Sequence, residues 1–321
     1  MTAGMVFLTG ASGFVGQALL SRLLDDGVAV TAAVRDGGTV TDPRAGRFVF
    51  ASLTDDSDWQ AGLAGHEVLI HAAARVHVMN DREADPLAAF RRVNVDGTLA
   101  LARAAVAAGV RRFIFISSIK VNGESTSNRR PYRADDVPAP RDPYGISKLE
   151  AEQALLALGR KSGLEIVIIR PVLVYGPGVK ANFRAMMRWV NRGLPLPLGL
   201  IDNRRSLVAL DNLVDLIATC RLHPAAAGEV FLASDGEDLS TSALLRRMAA
   251  ALGKPSRLLP VPVACLRLGA SLLGKRGVAE RLCGTLQVDI NKNLDLLDWT
   301  PPVAVDEALK VTARQFQDGS R

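Results

Sequence analysis

Cysteine is scarce in this chain: Cys220, Cys265 and Cys283 are the only three in 321 residues. Their odd number and wide spacing exclude a disulfide framework and offer no metal-ligand pattern, so no metal is expected. Aromatic residues make up only 5%, yet Ala, Val, Leu and Ile lift the hydrophobic share to 48%, which excludes a disordered chain. Long apolar runs are missing too. The most apolar late stretch, Leu258 to Leu273, is broken by Pro260, Pro262 and Arg267, and falls short of the roughly 20 apolar residues of a membrane span. No charged leader with an apolar core and cleavage site precedes Met5-Val6-Phe7-Leu8, so a reducing, cytoplasmic setting is the expectation. Positive charge exceeds negative only mildly, 39 Lys and Arg against 33 Asp and Glu. The arginines are scattered, with no block dense enough for a nucleic-acid arm. A surplus of that size suits an anionic small molecule, and equally a solvated surface.

What is present is an alternation of short apolar runs and helical patterns in the first half, as in a parallel sheet wound with helices. Val6 to Thr9 reads as the first strand, followed by a helix from about Gly13 to Asp26 closed by Gly27. Val28 to Val34, Phe48 to Phe50, Val68 to His71, Phe113 to Ile116 and Ile166 to Ile169 read as further strands. A long helix is expected over about Leu87 to Ala108, before Gly109. From Tyr175 to Ser206 the rhythm changes to Gly-, Pro- and Asn-rich loop, of the kind that usually carries function. Beyond Asp211 come short helices and a strand at Glu229 to Leu232. The expected division is a dinucleotide-binding domain over 1–174 and a substrate domain over 175–321, with segments around 207–235 free to return to the first.

Gly10-Ala11-Ser12-Gly13-Phe14-Val15-Gly16 lies directly after the first strand and opens the first helix. Glycines permit a tight turn and close backbone approach, while amides at a helix start face an anion. Alone, Gly-x-x-Gly-x-x-Gly can be a plain turn. Between strand one and helix one it reads as a pyrophosphate cradle, and the fold as a Rossmann-type doubly wound α/β sheet with a smaller C-terminal α/β part. At the end of the second strand stands Ala32-Ala33-Val34-Arg35 rather than an acidic residue. A carboxylate there would bind ribose hydroxyls, whereas Arg35 suits a 2′-phosphate, so NADP use is expected at least equal to NAD.

Asp142-Pro143-Tyr144-Gly145-Ile146-Ser147-Lys148 starts a helix with a cap and a first-turn proline. Tyr144 and Lys148, four apart, share a face. A lone Tyr-x-x-x-Lys is usually a solvated helix face. Behind a dinucleotide cradle it reads as an acid/base pair, with the ammonium and helix start expected to lower the phenol's pKa and Lys148 also to hold the nicotinamide ribose. Ser117 and Ser118 end a buried strand 26 residues before Tyr144. Ser118 is the choice for the hydrogen bond to the reacting oxygen; the plainer alternative is that both serines only close the strand.

These motifs resemble the extended short-chain dehydrogenase/reductase family, particularly nucleotide-sugar 4-epimerases and 4-ketoreductases. The resemblance spans nearly the whole chain. It implies catalytic roles for Ser118, Tyr144 and Lys148. It also implies that Ala72, Ala73 and Ala74 after His71 line the nicotinamide side, that Asn94 is structural and near the cofactor, and that Ser52 and Leu53 lie near the adenine. Arg170-Pro171 through Gly178 would close over the nicotinamide, with Pro171 in contact. Asn182 would begin a helix facing the substrate's diphosphate, and Arg205 would bind the same phosphates; Arg281 lies near a late phosphate motif it does not fully match. Departures narrow the chemistry. Ile119-Lys120 stands where the related 4,6-dehydratases carry an Asp-Glu pair, and the decarboxylating relatives' Glu is absent as well. Asn122 replaces a common tyrosine, and Ser52-Leu53 replaces Asp-Leu.

The implied function is hydride transfer between NAD(P) and C4 of a UDP-sugar. Arg35 tips the reading toward reduction of a UDP-4-keto-6-deoxy-N-acetylhexosamine. The alternative is a UDP-sugar 4-epimerase with tightly bound NAD, acting on UDP-glucose or UDP-N-acetylglucosamine. A non-catalytic dinucleotide sensor would have no need of the Ser, Tyr and Lys. A homodimer is expected from the resemblance alone.

Overall fold

The computed structural model describes residues 4–40, 42–54, 58–76 and 85–319. The chain runs through β1 (Val6–Thr9), α1 (Phe14–Asp25), β2 (Val30–Arg35), β3 (Gly46–Phe50), α2 (Trp59–Leu63), β4 (Val68–His71), α3 (Pro86–Arg91), α4 (Thr98–Ala107), β5 (Arg112–Ile116), α5 (Pro143–Ser162) and β6 (Glu165–Pro171). After these come β7 (Leu173–Tyr175), α6 (Ala181–Asn191), β8 (Arg205–Ala209), α7 (Leu210–Leu222), β9 (Val230–Ala233), β10 (Asp238–Leu239), α8 (Thr241–Ala251), α9 (Val263–Leu272), α10 (Arg276–Cys283), α11 (Asn291–Leu297) and α12 (Val305–Asp318).

Seven strands form one sheet in the order β3-β2-β1-β4-β5-β6-β9, parallel throughout. Successive side chains of a strand point to opposite faces, and the sequence uses both faces. Val6 and Leu8 of β1, Ile114 and Ile116 of β5, and Val167 and Ile169 of β6 enter a core shared with α1 and α7. Phe7, Phe113, Phe115, Ile166 and Ile168 enter the opposite core with α4 and α5. This two-sided burial is why the strands read as continuous apolar runs rather than alternating ones. The strand order reverses between β1 and β4, and the crevice at their carboxyl ends is where such sheets bind ligands.

A second sheet, β10-β8-β7, carries α6, α8 and α12 over its own apolar core. Asp235 ties the two sheets together: it accepts from the Ala209 amide and the Asn212 side chain at 2.7 Å each, and from the Tyr175 hydroxyl at 2.9 Å. Residues 205–209 therefore belong to the small sheet, while α7 and β9 return to the large one.

The stretch expected as loop from Tyr175 to Ser206 contains α6, whose Phe183, Met186, Met187 and Val190 are buried at helical spacing. The long helix expected over 87–108 is divided into α3, a π-helical turn Arg92–Gly97, and α4. The wider turn holds a buried Asn94. Among the described residues no helix is long and apolar enough to cross a membrane, and no cluster could hold a metal ion.

Candidate active site

The glycine loop joins β1 to α1 at the strand-order reversal. Gly10 has φ +75°, and a Cβ there would sit 2.6 Å from both the Ala72 carbonyl carbon and the Ala73 nitrogen. At Gly16 a Cβ would lie 2.0 Å from the Gly10 carbonyl oxygen. The loop thus folds against β4's exit and the first helical turn with no room for side chains. Gly13 caps α1 without a side-chain bond, and no acidic residue occupies the first turn, so the amide-rich helix start keeps its partial positive charge for an anion. Ser12 is exposed and Phe14 and Val15 are half-buried beside it. These residues fit a dinucleotide's diphosphate.

Beside the loop, β4 ends on His71, fully buried and hydrogen-bonded to Thr9 Oγ1 (2.6 Å) and Thr98 Oγ1 (3.0 Å). Burial, helped by the Lys148 charge, pushes its pKa down to about 3, so His71 is a neutral strut. Ala72, Ala73 and Ala74 follow it, half-buried. Asn94 fixes their loop. Its Oδ1 accepts from the Arg75 amide (2.8 Å), and its Nδ2 donates to the Arg75 carbonyl (3.1 Å) and to Ser147 Oγ on α5 (3.0 Å).

The catalytic candidates come together on this platform. Asp142 caps α5, accepting from the Gly145 amide at 2.7 Å, and also binds Lys120. Tyr144, in the first turn, is half-buried, meets Phe90 edge-on at 5.9 Å, and lies near Ser118. Ser117, the other strand-end hydroxyl, donates instead to the buried Glu152. Ser118 Oγ also accepts from the Lys120 amide (3.3 Å) and so caps the short turn Ile119–Val121; the two strand-end hydroxyls thus have different partners. Lys148 is fully buried, with Nζ donating to the Ile116 carbonyl (2.9 Å) and lying 4.3 Å from the Phe115 ring centroid. Burial pulls its pKa down to about 7, against the attraction of Glu152.

One expectation is corrected. The phenol of Tyr144 is not lowered: burial first, then the neighbouring Asp142 carboxylate, push it up to about 12, with the nearby Ser118 hydroxyl opposing. Lys148 donates to the Ile116 carbonyl, and its place four residues along the helix does not outweigh the burial and carboxylate that raise the phenol.

A buried network missed from sequence underlies the pair. Arg170 donates to Glu152 through Nε (3.0 Å) and Nη2 (2.6 Å), and through Nη1 to Asn122 Oδ1 (2.9 Å). Arg170 and Glu152 are both buried. Arg170 is thus a support behind the site, Asn122 completes its bonding, and Pro171 at the end of β6 is half-buried.

The remaining residues lie further out. Arg35 is exposed at the end of β2. Ser52 is half-buried and pairs with Thr54, while Leu53 is buried against Gly97 of the π turn. Asn182 is exposed in the first turn of α6. Arg205 donates to the Arg281 carbonyl (2.9 Å) and the Gly284 carbonyl (3.2 Å), and burial lowers its pKa. Gly178 approaches Phe14, its Cβ position lying 3.9 Å from that ring, so the segment after β7 reaches the start of α1 beside the glycine loop.

The family described as "NAD dependent epimerase/dehydratase" matches residues 6–233. The chain belongs to this family. It is 50% identical over 313 residues to a UDP-glucose 4-epimerase of Vibrio cholerae, covering 97% of this chain and 95% of that protein. The fold matches the crystal structure of a UDP-glucose 4-epimerase from Thermotoga maritima with UDP-glucose (TM-score 0.78, 23% identity, 99% and 100% of the two chains). It also matches a UDP-glucuronic acid 4-epimerase from Bacillus cereus in complex with NAD (TM-score 0.78, 20% identity, 99% and 100%). Membership makes the chain an NAD-dependent enzyme of the nucleotide-sugar epimerase/reductase kind.

For an NAD-dependent family member, the close approach at Gly16 has a direct outcome. Gly16→Ala must displace backbone, since the added carbon would meet Gly10 atoms at 2.0 and 2.7 Å. The variant is expected to purify with less than about a tenth of the wild-type nucleotide content, measured by chromatography of the acid extract. Full occupancy in the variant would show that the loop tolerates what the geometry forbids.

Proposed function

We propose that this enzyme is a UDP-sugar 4-epimerase that retains NAD, with UDP-glucose as the first substrate to test. The observation that carries the reading is the 50% identity to the Vibrio cholerae UDP-glucose 4-epimerase along 97% of the chain. The reduction favoured from Arg35 therefore gives way to the alternative. Bound NAD supplies the hydride acceptor and donor, and a positive charge beside the phenol when oxidised. Tyr144 would take the proton from the C4 hydroxyl as the hydride leaves C4, and would return it to that oxygen when the hydride comes back to the opposite face of the turned 4-keto sugar. Ser118 holds the reacting oxygen, and the buried Lys148, in its protonated form, lends positive charge to that exchange. A phenol that burial and the Asp142 carboxylate push up to about 12 is a poor base, and a positive charge beside it would favour proton removal.

In this reading Gly10, Ser12, Gly13, Phe14, Val15 and Gly16 cradle the diphosphate of NAD, Ala72 to Ala74, Asn94 and Pro171 flank the nicotinamide side, and Ser52 and Leu53 the adenine. Asn182 and Arg205, on α6 and β8 of the small sheet, hold the UDP moiety. The part from 175 onward, less α7 and β9, is the substrate domain, and the working unit is a homodimer. Arg35 would meet a 2′-phosphate with a guanidinium, which keeps NADP use as the second reading.

The test is to denature the purified enzyme and identify the released nucleotide. The native enzyme is then incubated with UDP-glucose, UDP-N-acetylglucosamine and a UDP-4-keto-6-deoxy sugar, with and without NAD(P)H. Interconversion at C4 with no net cofactor consumption, and NAD in the extract, is the expected result. Stoichiometric NADPH consumption with the keto sugar and no epimer from the others would establish the reductase instead.

A further inference from the structure

The chain's net charge is not evenly spread. Between residues 254 and 281 stand Lys254, Arg257, Arg267, Lys275, Arg276 and Arg281, opposed by Glu280 alone, and all seven side chains are exposed. Nearly the whole excess of +6 carried by 321 residues thus lies in this one short segment. The same segment holds α9, none of whose residues is buried. Its Leu268 is 64% exposed, Leu272 80%, and Leu273 at its end 73%. Cys265, Leu268 and Leu272 recur at three- and four-residue steps, so they form one outward stripe along the helix. Lys275 and Arg276 follow directly beyond Leu273, and Arg276 folds back to donate to Ser271 Oγ at 2.7 Å. Cations therefore lie at the end of the leucine stripe, while Arg267 stands on another side of the helix, where it lines a cavity with Val263.

A soluble core gains nothing from three leucines held in water beside a cluster of arginines. An interfacial helix does: its leucines enter the acyl boundary while flanking lysines and arginines meet anionic headgroups. A second copy of this chain fits poorly, because the same positive surplus would face itself. We propose that α9 and the following Lys275-Arg276 form a peripheral docking face for an anionic lipid bilayer. The enzyme lies on the membrane surface without crossing it. The face is remote in sequence from Ser118, Tyr144 and Lys148, and the proposal does not depend on which sugar the enzyme turns over.

The experiment is flotation of the full-length protein with vesicles of phosphatidylcholine, or of phosphatidylcholine with about one-third phosphatidylglycerol, at low and high salt. The protein is expected to float with the anionic vesicles only, and to be released as salt shortens the screening length from about 10 Å at 0.1 M to about 3 Å at 1 M. Leu268→Ser with Leu272→Ser is expected to reduce partitioning at least tenfold. Lys275→Ala with Arg276→Ala should reduce it roughly 30-fold, at about fivefold for each cation. Both variants should keep wild-type turnover, which reports that they are folded. Three outcomes overturn the proposal. No flotation with anionic vesicles would leave the face to an acidic protein partner. Equal flotation of wild type and the leucine variant would reduce the effect to diffuse charge. A change in oligomeric mass in the leucine variant, read by light scattering, would make the stripe a contact between copies.

Discussion

Replacing Tyr144 with phenylalanine is expected to lower kcat by about 10²–10⁴-fold, the usual contribution of a positioned proton carrier, while NAD remains in the purified enzyme. The hydroxyl is the only polar group removed. The ring would keep its edge contact with Phe90, and Ser118 and Lys148 keep their places. Turnover with a UDP-sugar and nucleotide content of the same preparation give both readouts. Activity within tenfold of wild type would remove Tyr144 from proton transfer. Loss of nucleotide with loss of activity would make the residue a cofactor contact instead. The variant also discriminates against a non-catalytic sensor, in which removing the phenol should change nothing measurable in turnover.

The second large effect concerns stability. Glu152→Ala removes the carboxylate that receives both Arg170 bonds and the Ser117 hydroxyl. Arg170 would be left buried with only Asn122 and the Ala134 carbonyl as partners. Breaking a buried pair from one side typically costs about 3–5 kcal/mol, and urea unfolding followed by far-UV circular dichroism should show the midpoint fall accordingly. Glu152→Gln keeps hydrogen-bonding atoms and should lose less. If the alanine variant lost under about 1 kcal/mol, the pair would not be the support described, since surface-like ion pairs have that value.

The sequence made the large sheet readable because its signals are local. An apolar run of four residues, a glycine loop and a capped helix start lie next to one another from Val6 to Gly16, and the strands at Val68 and Phe113 are unbroken apolar runs. The small sheet was much less legible: β7 and β10 are three and two residues long, too short for periodicity to register. Glu152 was hidden for a different reason. In Leu149-Glu150-Ala151-Glu152 it reads like its exposed-looking neighbour, and only contact with Arg170, from the next strand, reveals it as buried. The phenol's acidity was misjudged for a related reason. Asp142 was read as a helix cap, which it is, yet the same carboxylate sits close enough to hold the proton on Tyr144. Spacing along a helix told which groups share a face, while burial and a cap's charge decided which way the equilibrium leans.

Asp235 carries a consequence for how the molecule comes apart. It sits just past the outermost strand of the large sheet, yet its bonds hold Ala209 at the end of β8, Asn212 at the start of α7 and the Tyr175 hydroxyl beneath α6. A single carboxylate thus fastens the hem of one sheet to the seam of the other. Parting the small sheet from the large one would strip this carboxylate of all three donors at once, so the link resists their separation.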